Sequence, residues 1–160
     1  MNVRLQIPHF QQSAEGYCLP ACVRMVLAYW GLSRSETAIR RVLGTRVFGT
    51  PTFAVERLRQ WDVQVVYREW TVPQLLTMLE MGQPVILFLR TGFLDYWQQD
   101  VAHAVVVVDY EENQRFWLHD PALSTGPVAV SWHGVLAAWA EFGYRGAALS
   151  YDQGKSNDER

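Results

Sequence analysis

Gln12-Ser-Ala-Glu-Gly-Tyr-Cys18-Leu-Pro-Ala-Cys22-Val-Arg-Met-Val-Leu-Ala-Tyr-Trp-Gly31 reads as a loop that runs into a helix, with a cysteine at the join. Pro20 suits a first helical turn, where its missing N–H would have had no partner anyway. Leu19, Cys22, Val23, Val26, Leu27 and Trp30 then recur at the i, i+3, i+4 spacing of a buried face. Met25 and Ala28 make the other side apolar too, and Gly31 reads as the stop. A helix apolar nearly all round belongs in a core. Cys18 therefore sits at or just before the N-terminus of a central helix, where the peptide dipoles favour negative charge and a thiol becomes a nucleophile. A lone cysteine is also commonly buried and inert. This stretch alone leaves both readings open.

Length and composition narrow the classes. At 160 residues the chain is long enough for one domain with a real core, expected over residues 1–151 with a polar tail at 152–160. Seven Trp, seven Tyr and seven Phe argue for an ordered globule. A formal net charge of −2 gives no basic footprint, which argues against a nucleic-acid partner. No apolar run approaches the roughly 18–20 residues of a membrane span, and the first ten residues lack the apolar centre of a signal peptide. Two cysteines four apart make a poor disulfide framework, so a reducing cytoplasm is expected.

Residues 3–10 alternate and read as a short strand, with Pro8 placing it at an edge. Ser33-Arg-Ser-Glu36 has the pattern of a capping box, opening a helix that ends before Gly44. Thr50-Pro51 repeats the cap-then-proline signal for a short helix through Trp61, and 63–67 is a strand. Thr71-Val-Pro-Gln74 opens a further helix, with Gly82 as its stop. Residues 84–89 and 104–108 are buried strands. The intervening 90–101 is a loop carrying Phe93, Tyr96 and Trp97. It reads as pinned by its own aromatics in preference to forming a substrate wall. Strands at 115–119 and 128–130, a helix from Trp132 to about Phe142 capped by Ser131, and a strand at 144–151 complete the chain. Helices first, then an antiparallel sheet, is an α+β order.

A nucleophilic cysteine needs a base. Of His9, His103, His119 and His133, His103 stands at the mouth of the strand Ala104-Val-Val-Val-Val108. If 104–109 and 114–119 form a symmetric hairpin, Asp109 faces Gln114 and His103 faces Asp120. Directly opposed residues share a face with Cβ atoms about 4.5–5.5 Å apart, close enough for a carboxylate to orient an imidazole. One bulge would break that register, and Asp120-Pro121 is also an ordinary turn signal. His119 should face the opposite way, and His9 and His133 read as structural. Cys18, Cys22 and His103 lack the paired spacings of a zinc site, so neither metal nor cofactor is expected.

With these residues in view, the sequence resembles the papain-like cysteine peptidases that remove double-glycine leader peptides from bacteriocin precursors, and above all their stand-alone relatives. Gln12, the run from Cys18 to Gly31, Gly82-Gln-Pro-Val-Ile-Leu-Phe-Leu89, His103 with its strand, and Asp120-Pro121 fall in that family's order over residues 5–149. The resemblance implies a papain-like fold with a central helix packed on a C-terminal antiparallel sheet. It also implies Cys18 as nucleophile, His103 as base, Asp120 as its orienter and Gln12 as an oxyanion donor. A peptide or protein substrate follows, with association with a separate transporter or partner protein as a further expectation. Two departures stand out. Leu19 occupies a position usually held by glycine, and neither a membrane domain nor an ATPase follows, so leader removal coupled to export is not implied. Acyl transfer to another nucleophile, or a retired peptide-binding module, are the alternative readings; Leu19 speaks for the last and the four retained polar positions against it.

Overall fold

The computed structural model describes residues 4–152, so the expected polar tail lies, apart from Asp152, outside the described residues. The apolar helix forms as α1, Cys18–Tyr29. It closes where the sequence places its stop: Gly31 adopts φ +86°, and Leu32 N–H reaches back to Leu27 O at 2.9 Å while Gly31 N–H reaches Ala28 O at 3.0 Å. That paired bonding satisfies the helix's last carbonyls. α2 (Glu36–Leu43) follows and ends at a left-handed Gly44.

Its cap differs from the one expected. Ser35, not Ser33, accepts the Ala38 N–H, and Glu36 turns away to bind the Ser13 N–H and hydroxyl at 3.1 and 2.5 Å. A capping box needs its carboxylate free to reach back, and here the loop before α1 has taken it. Thr52–Trp61 winds as a 3₁₀ helix. Thr50 does not cap it, because its hydroxyl is engaged by Thr45 at 2.7 Å. In α3 (Val72–Glu80) both halves of the Thr71/Gln74 box form as expected. α4 (Trp132–Ala140) is capped by Ser131 and stops two residues before Phe142.

Six strands make one antiparallel sheet: β1 (Gln64–Glu69), β2 (Val85–Arg90), β3 (Ala102–Glu111), β4 (Arg115–His119), β5 (Val128–Ser131) and β6 (Arg145–Ser150). Their spatial order is β1-β6-β2-β3-β4-β5. Helices cover both faces, which explains the unbroken apolar runs of β2 and β3. Ile86, Phe88, Ala104, Val106 and Val108 pack into the cluster under α1 and α2. Val85, Leu87, Leu89, Val105 and Val107 pack under α3 and α4.

The β3–β4 register corrects the symmetric hairpin. Val106 faces His119 and Val107 faces Leu118; beyond a bulge, Asp109 faces Trp117 and Glu111 faces Arg115. The turn is therefore centred on Asn113, which takes φ +63°, and not on the preceding pair of glutamates. His103 and Asp120 are not directly opposed. Their contact is diagonal, at a separation a long side chain can still bridge.

Residues 4–10 form no strand. They run as a strap whose polar groups bond to β3, to the end of β4 and to the loop after it. Leu5 N–H donates to Val108 O at 2.8 Å, and Gln12 N–H donates to Pro121 O at 2.7 Å. His9 Nε2 meets Leu123 O and His119 Nε2 meets Ile7 O, both at 2.7 Å. The two rings touch edge-on with centroids 4.9 Å apart. This lacing lays the start of the chain beside Asp120. Gly126 permits it: a Cβ there would stand 2.5 Å from His119 Nδ1 and 2.9 Å from His9 Nδ1. Gly126→Ala should therefore destabilise the fold by about 1–3 kcal/mol through overpacking. A urea midpoint equal to that of the native chain would refute this packing.

Candidate active site

Cys18 is the first residue of α1, half-buried, where the opening amides of the helix have no intrahelical acceptor. The loop before it is fixed from two sides. Glu36 holds Ser13, and Gly16, at φ +85°, lets the backbone approach so closely that a Cβ would lie 2.7 Å from Val47 O. Leu19 follows the thiol directly. Its side chain is buried with Cys22 and Val23 in the cluster under α1 and forms part of a cleft wall. Cys22, one turn on, is 0% exposed. Burial, and then the nearby Cys18 and Asp120, push its thiol well above the usual range.

His103 is 7% exposed at the start of β3, paired with Leu89 of β2. Its Nε2 lies 2.6 Å from Asp120 Oδ1, and the residue lines both clefts onto which Cys18 opens. With Nε2 committed to the carboxylate, Nδ1 is the nitrogen left for the thiol. Burial opposes a charged ring, yet the bonds to Asp120 and Cys18 outweigh it and push His103 up to about 9.

Asp120 is 0% exposed. A buried carboxylate must be fully hydrogen-bonded to stay ionised, and four donors meet this one. His103 and the Ala122 N–H, the latter at 2.9 Å, take Oδ1. Tyr96 OH at 2.6 Å and Trp97 Nε1–H at 2.9 Å take Oδ2. Burial would raise its pKa, but His103 first, then Tyr96 and Ala122, hold it below the ordinary carboxylate value.

Tyr96 and Trp97 are thus more than fillers of their loop, and that reading of residues 90–101 is corrected. The neck of the loop is pinned by polar groups. Thr91 and Val101 exchange bonds at 2.9 Å, and Arg90 and Gly92 both donate to Asp100, at 3.1 and 3.2 Å. The aromatics are freed to act elsewhere: Trp97 packs on the His103 ring at 4.8 Å between centroids. The available signal was chemical, since a Tyr and a Trp in one loop carry donors that need partners when buried.

Removing one donor from Asp120 should be measurable as stability. Tyr96→Phe is expected to cost about 1.5–3 kcal/mol at neutral pH, the range for a bond to a charged group. Asp120 is held below its unfolded value, so its contribution is full above about pH 4 and fades as pH falls through its folded value. The gap between the two chains should narrow on acidification. A gap independent of pH in urea titrations would mean that Tyr96 does not act through the carboxylate.

Gln12 lies at the cleft mouth with Cys18, His103 and Trp97. Its amide NH₂ donates to Ala14 O at 3.1 Å, which leaves one N–H unspent, while its buried Oε1 has no partner. Two clefts meet at the cysteine. One, of about 340 Å³, is apolar, with Phe48, Phe53, Phe88 and Phe142 in its walls. The other, of about 320 Å³, includes Gln12, Glu15, Trp97 and Gln99. The remaining histidines stand away from the thiol: His9 and His119 lace the strap, and His133 is exposed on α4. Burial, aided by the charges of His9 and Arg4, lowers the pKa of His119 despite its bond to Ile7. Among the described residues no group of three or more His, Cys, Asp or Glu is placed to hold a metal ion. No described helix is long and apolar enough to cross a membrane.

A central helix with a cysteine at its N-terminus, packed on an antiparallel sheet that brings up a histidine, is the architecture of the papain-like cysteine peptidases. The sequence model described as the peptidase C39-like family matches residues 4–147. The chain belongs to that family and is a cysteine peptidase. Among solved structures it is similar to a C39-like peptidase from Bacillus anthracis (TM-score 0.78, 16% identity, covering 95% of this chain and 98% of that one). It is also similar to the peptidase domain of Streptococcus ComA, a bi-functional ABC transporter involved in a quorum-sensing pathway (TM-score 0.74, 18% identity, 92% and 100% covered). A third likeness is to a double-glycine-motif protease from an AMS/PCAT transporter in complex with the leader peptide (TM-score 0.69, 16% identity, 93% and 94% covered). No curated protein sequence matches significantly.

Proposed function

We propose that this chain cleaves a peptide or protein substrate by acyl transfer to Cys18. The observation that carries the reading is a His103 ring bonded through Nε2 to the buried Asp120 and lining, with Cys18, the same two clefts. His103 takes the thiol proton at Nδ1, and the thiolate attacks the scissile carbonyl, forming a C–S bond and a tetrahedral oxyanion. The free Gln12 N–H and the opening amides of α1 bind that oxyanion; one such donor contributes about 2.7–4 kcal/mol. The imidazolium then protonates the leaving amine, the C–N bond breaks, and water releases the acyl group with His103 as base. Asp120 keeps Nε2 protonated throughout, so that Nδ1 stays the working nitrogen.

The leader-processing neighbours make a precursor peptide the first substrate class to test, brought by a separate transporter or partner protein. Two free cysteines suit work in a reducing cytoplasm. The test is a pH profile of kcat/KM on a cleaved peptide. Because His103 is raised from 6.5 to about 9, its charged form persists through neutral pH, and the alkaline limb should fall near pH 9. An alkaline limb near 6.5, the ordinary imidazole value, would contradict the pair. Gln12→Ala should lower kcat by about 10²–10³.

A further inference from the structure

We infer that the substrate places a large apolar side chain, one or two residues from the scissile carbonyl, in the cleft formed by Phe48 and Phe53, so that this chain selects a bulky residue there and not a pair of glycines. The inference rests on the peptidase reading above and concerns which peptides that same site accepts.

The two clefts at Cys18 differ in chemistry. The one lined by Leu19, Phe48, Phe53, Phe88, Ala104 and Phe142 contains no ionisable side chain besides Cys18 and His103 themselves. Its two hydroxyls are each already hydrogen-bonded, Thr50 to Thr45 and Thr52 to Tyr67. Its volume of about 340 Å³ falls within the range of sites that enclose ligand groups. The other cleft is mixed: Gln12, Glu15 and Gln99 share its walls with Trp97, Val101 and the outer side of the Val47–Phe48 tip.

The apolar cleft is also preformed. Arg46 and Gly49 exchange two backbone bonds at 3.0 Å, closing a tight hairpin tip, and the close approach of Gly16 to Val47 O seats that tip against the cysteine loop. At the tip Val47 is 87% and Phe48 88% exposed. Large apolar side chains held fixed in water beside a nucleophile mark a surface that a ligand covers. Because the cleft is continuous with Cys18, that ligand is the substrate segment itself. A double-glycine junction has no side chain to put there. Each methylene that fills such a pocket is worth about 10–200-fold in specificity, so a Leu or Phe should outrun glycine by at least about 100-fold.

The test uses dipeptidyl acyloxymethyl ketones, in which the Cys18 thiolate forms a C–S bond to the ketone methylene and a carboxylate leaves. Gly-Gly, Leu-Gly, Gly-Leu, Phe-Gly and Gly-Phe probes are compared by the rate at which intact mass shows one adduct, located by peptide mapping. The expected result is labelling of Cys18 at least about 100-fold faster by a Leu or Phe probe than by Gly-Gly. Phe48→Ser should cut that ratio at least tenfold. Met81→Ser, an exposed apolar residue after α3 and away from both clefts, should leave it unchanged. Gly-Gly labelling as fast as Leu or Phe, or a ratio that Phe48→Ser does not move, overturns the specificity while leaving the peptidase reading standing. Iodoacetamide and all five probes failing to modify Cys18 overturns the thiolate mechanism, and the specificity with it.

Discussion

Cys18→Ala is expected to keep its fold and to lose about 10⁴–10⁶ in kcat on any peptide the native chain cleaves, the range seen when the nucleophile of an acyl-transfer triad is removed. Cys18 is half-buried and opens onto both clefts beside His103. Alanine is also the best helix former for the first residue of α1, so thermal unfolding should be little changed. What remains would be binding and oxyanion stabilisation without a covalent path. Turnover within tenfold of the native chain would remove Cys18 from the mechanism. Full binding of a peptide, with no turnover by either protein, would favour the binding-module reading.

Asp120→Asn should have the second largest effect, about 10²–10⁴ in kcat, because the buried carboxylate does two things that an amide cannot do together. Its two oxygens accept from His103, Ala122, Tyr96 and Trp97. Asparagine has one acceptor oxygen. If that oxygen faces His103, the NH₂ meets the Trp97 N–H, donor against donor, and a buried donor is stranded at about 1–3 kcal/mol. If the amide is turned round, the NH₂ faces Nε2, the ring must carry its proton on Nδ1, and it can no longer accept one from Cys18. Either way the charge that raises His103 is gone while its burial remains, so the alkaline limb should move down from about pH 9. Stability and pH profile should shift together. His119→Gln, which loses a bond to the strap, should lower stability and leave kcat/KM nearly intact, since that ring faces Ile7 and not the thiol.

Much of this site is legible in the sequence for local reasons. The α1 face, Pro20 and Gly31 are set by spacing within a few residues, and they place Cys18 without any long-range information. His103 stands out because a polar residue opens an apolar run. Asp120 was reached through a register that the structure does not have. The bulge between Val107 and Asp109 falls at the end of four consecutive valines, where nothing in the side-chain pattern marks a slip. The acid and the imidazole nevertheless meet, because a diagonal pair is still within reach of a histidine. Residues 4–10 alternate like a strand, yet the strap's donors and acceptors go to β3, β4 and the loop after β4, partners more than a hundred residues away that local pattern cannot name. The roles of Tyr96 and Trp97 are hidden for the same reason. Their hydroxyl and indole N–H announce a need for partners, but only the fold brings Asp120 to them.

The central claim is that Cys18 is the nucleophilic thiol and that His103 makes it so. Brief alkylation with iodoacetamide near pH 7, followed by peptide mapping, tests it most directly. Cys22 is 0% exposed, with its thiol pushed well above the usual range, whereas Cys18 opens onto both clefts beside His103. Cys18 should be modified at least about 100-fold faster than Cys22, and His103→Ala should slow Cys18 while leaving Cys22 as it was. Equal labelling of the two cysteines, faster labelling of Cys22, or a Cys18 rate indifferent to His103→Ala would contradict it.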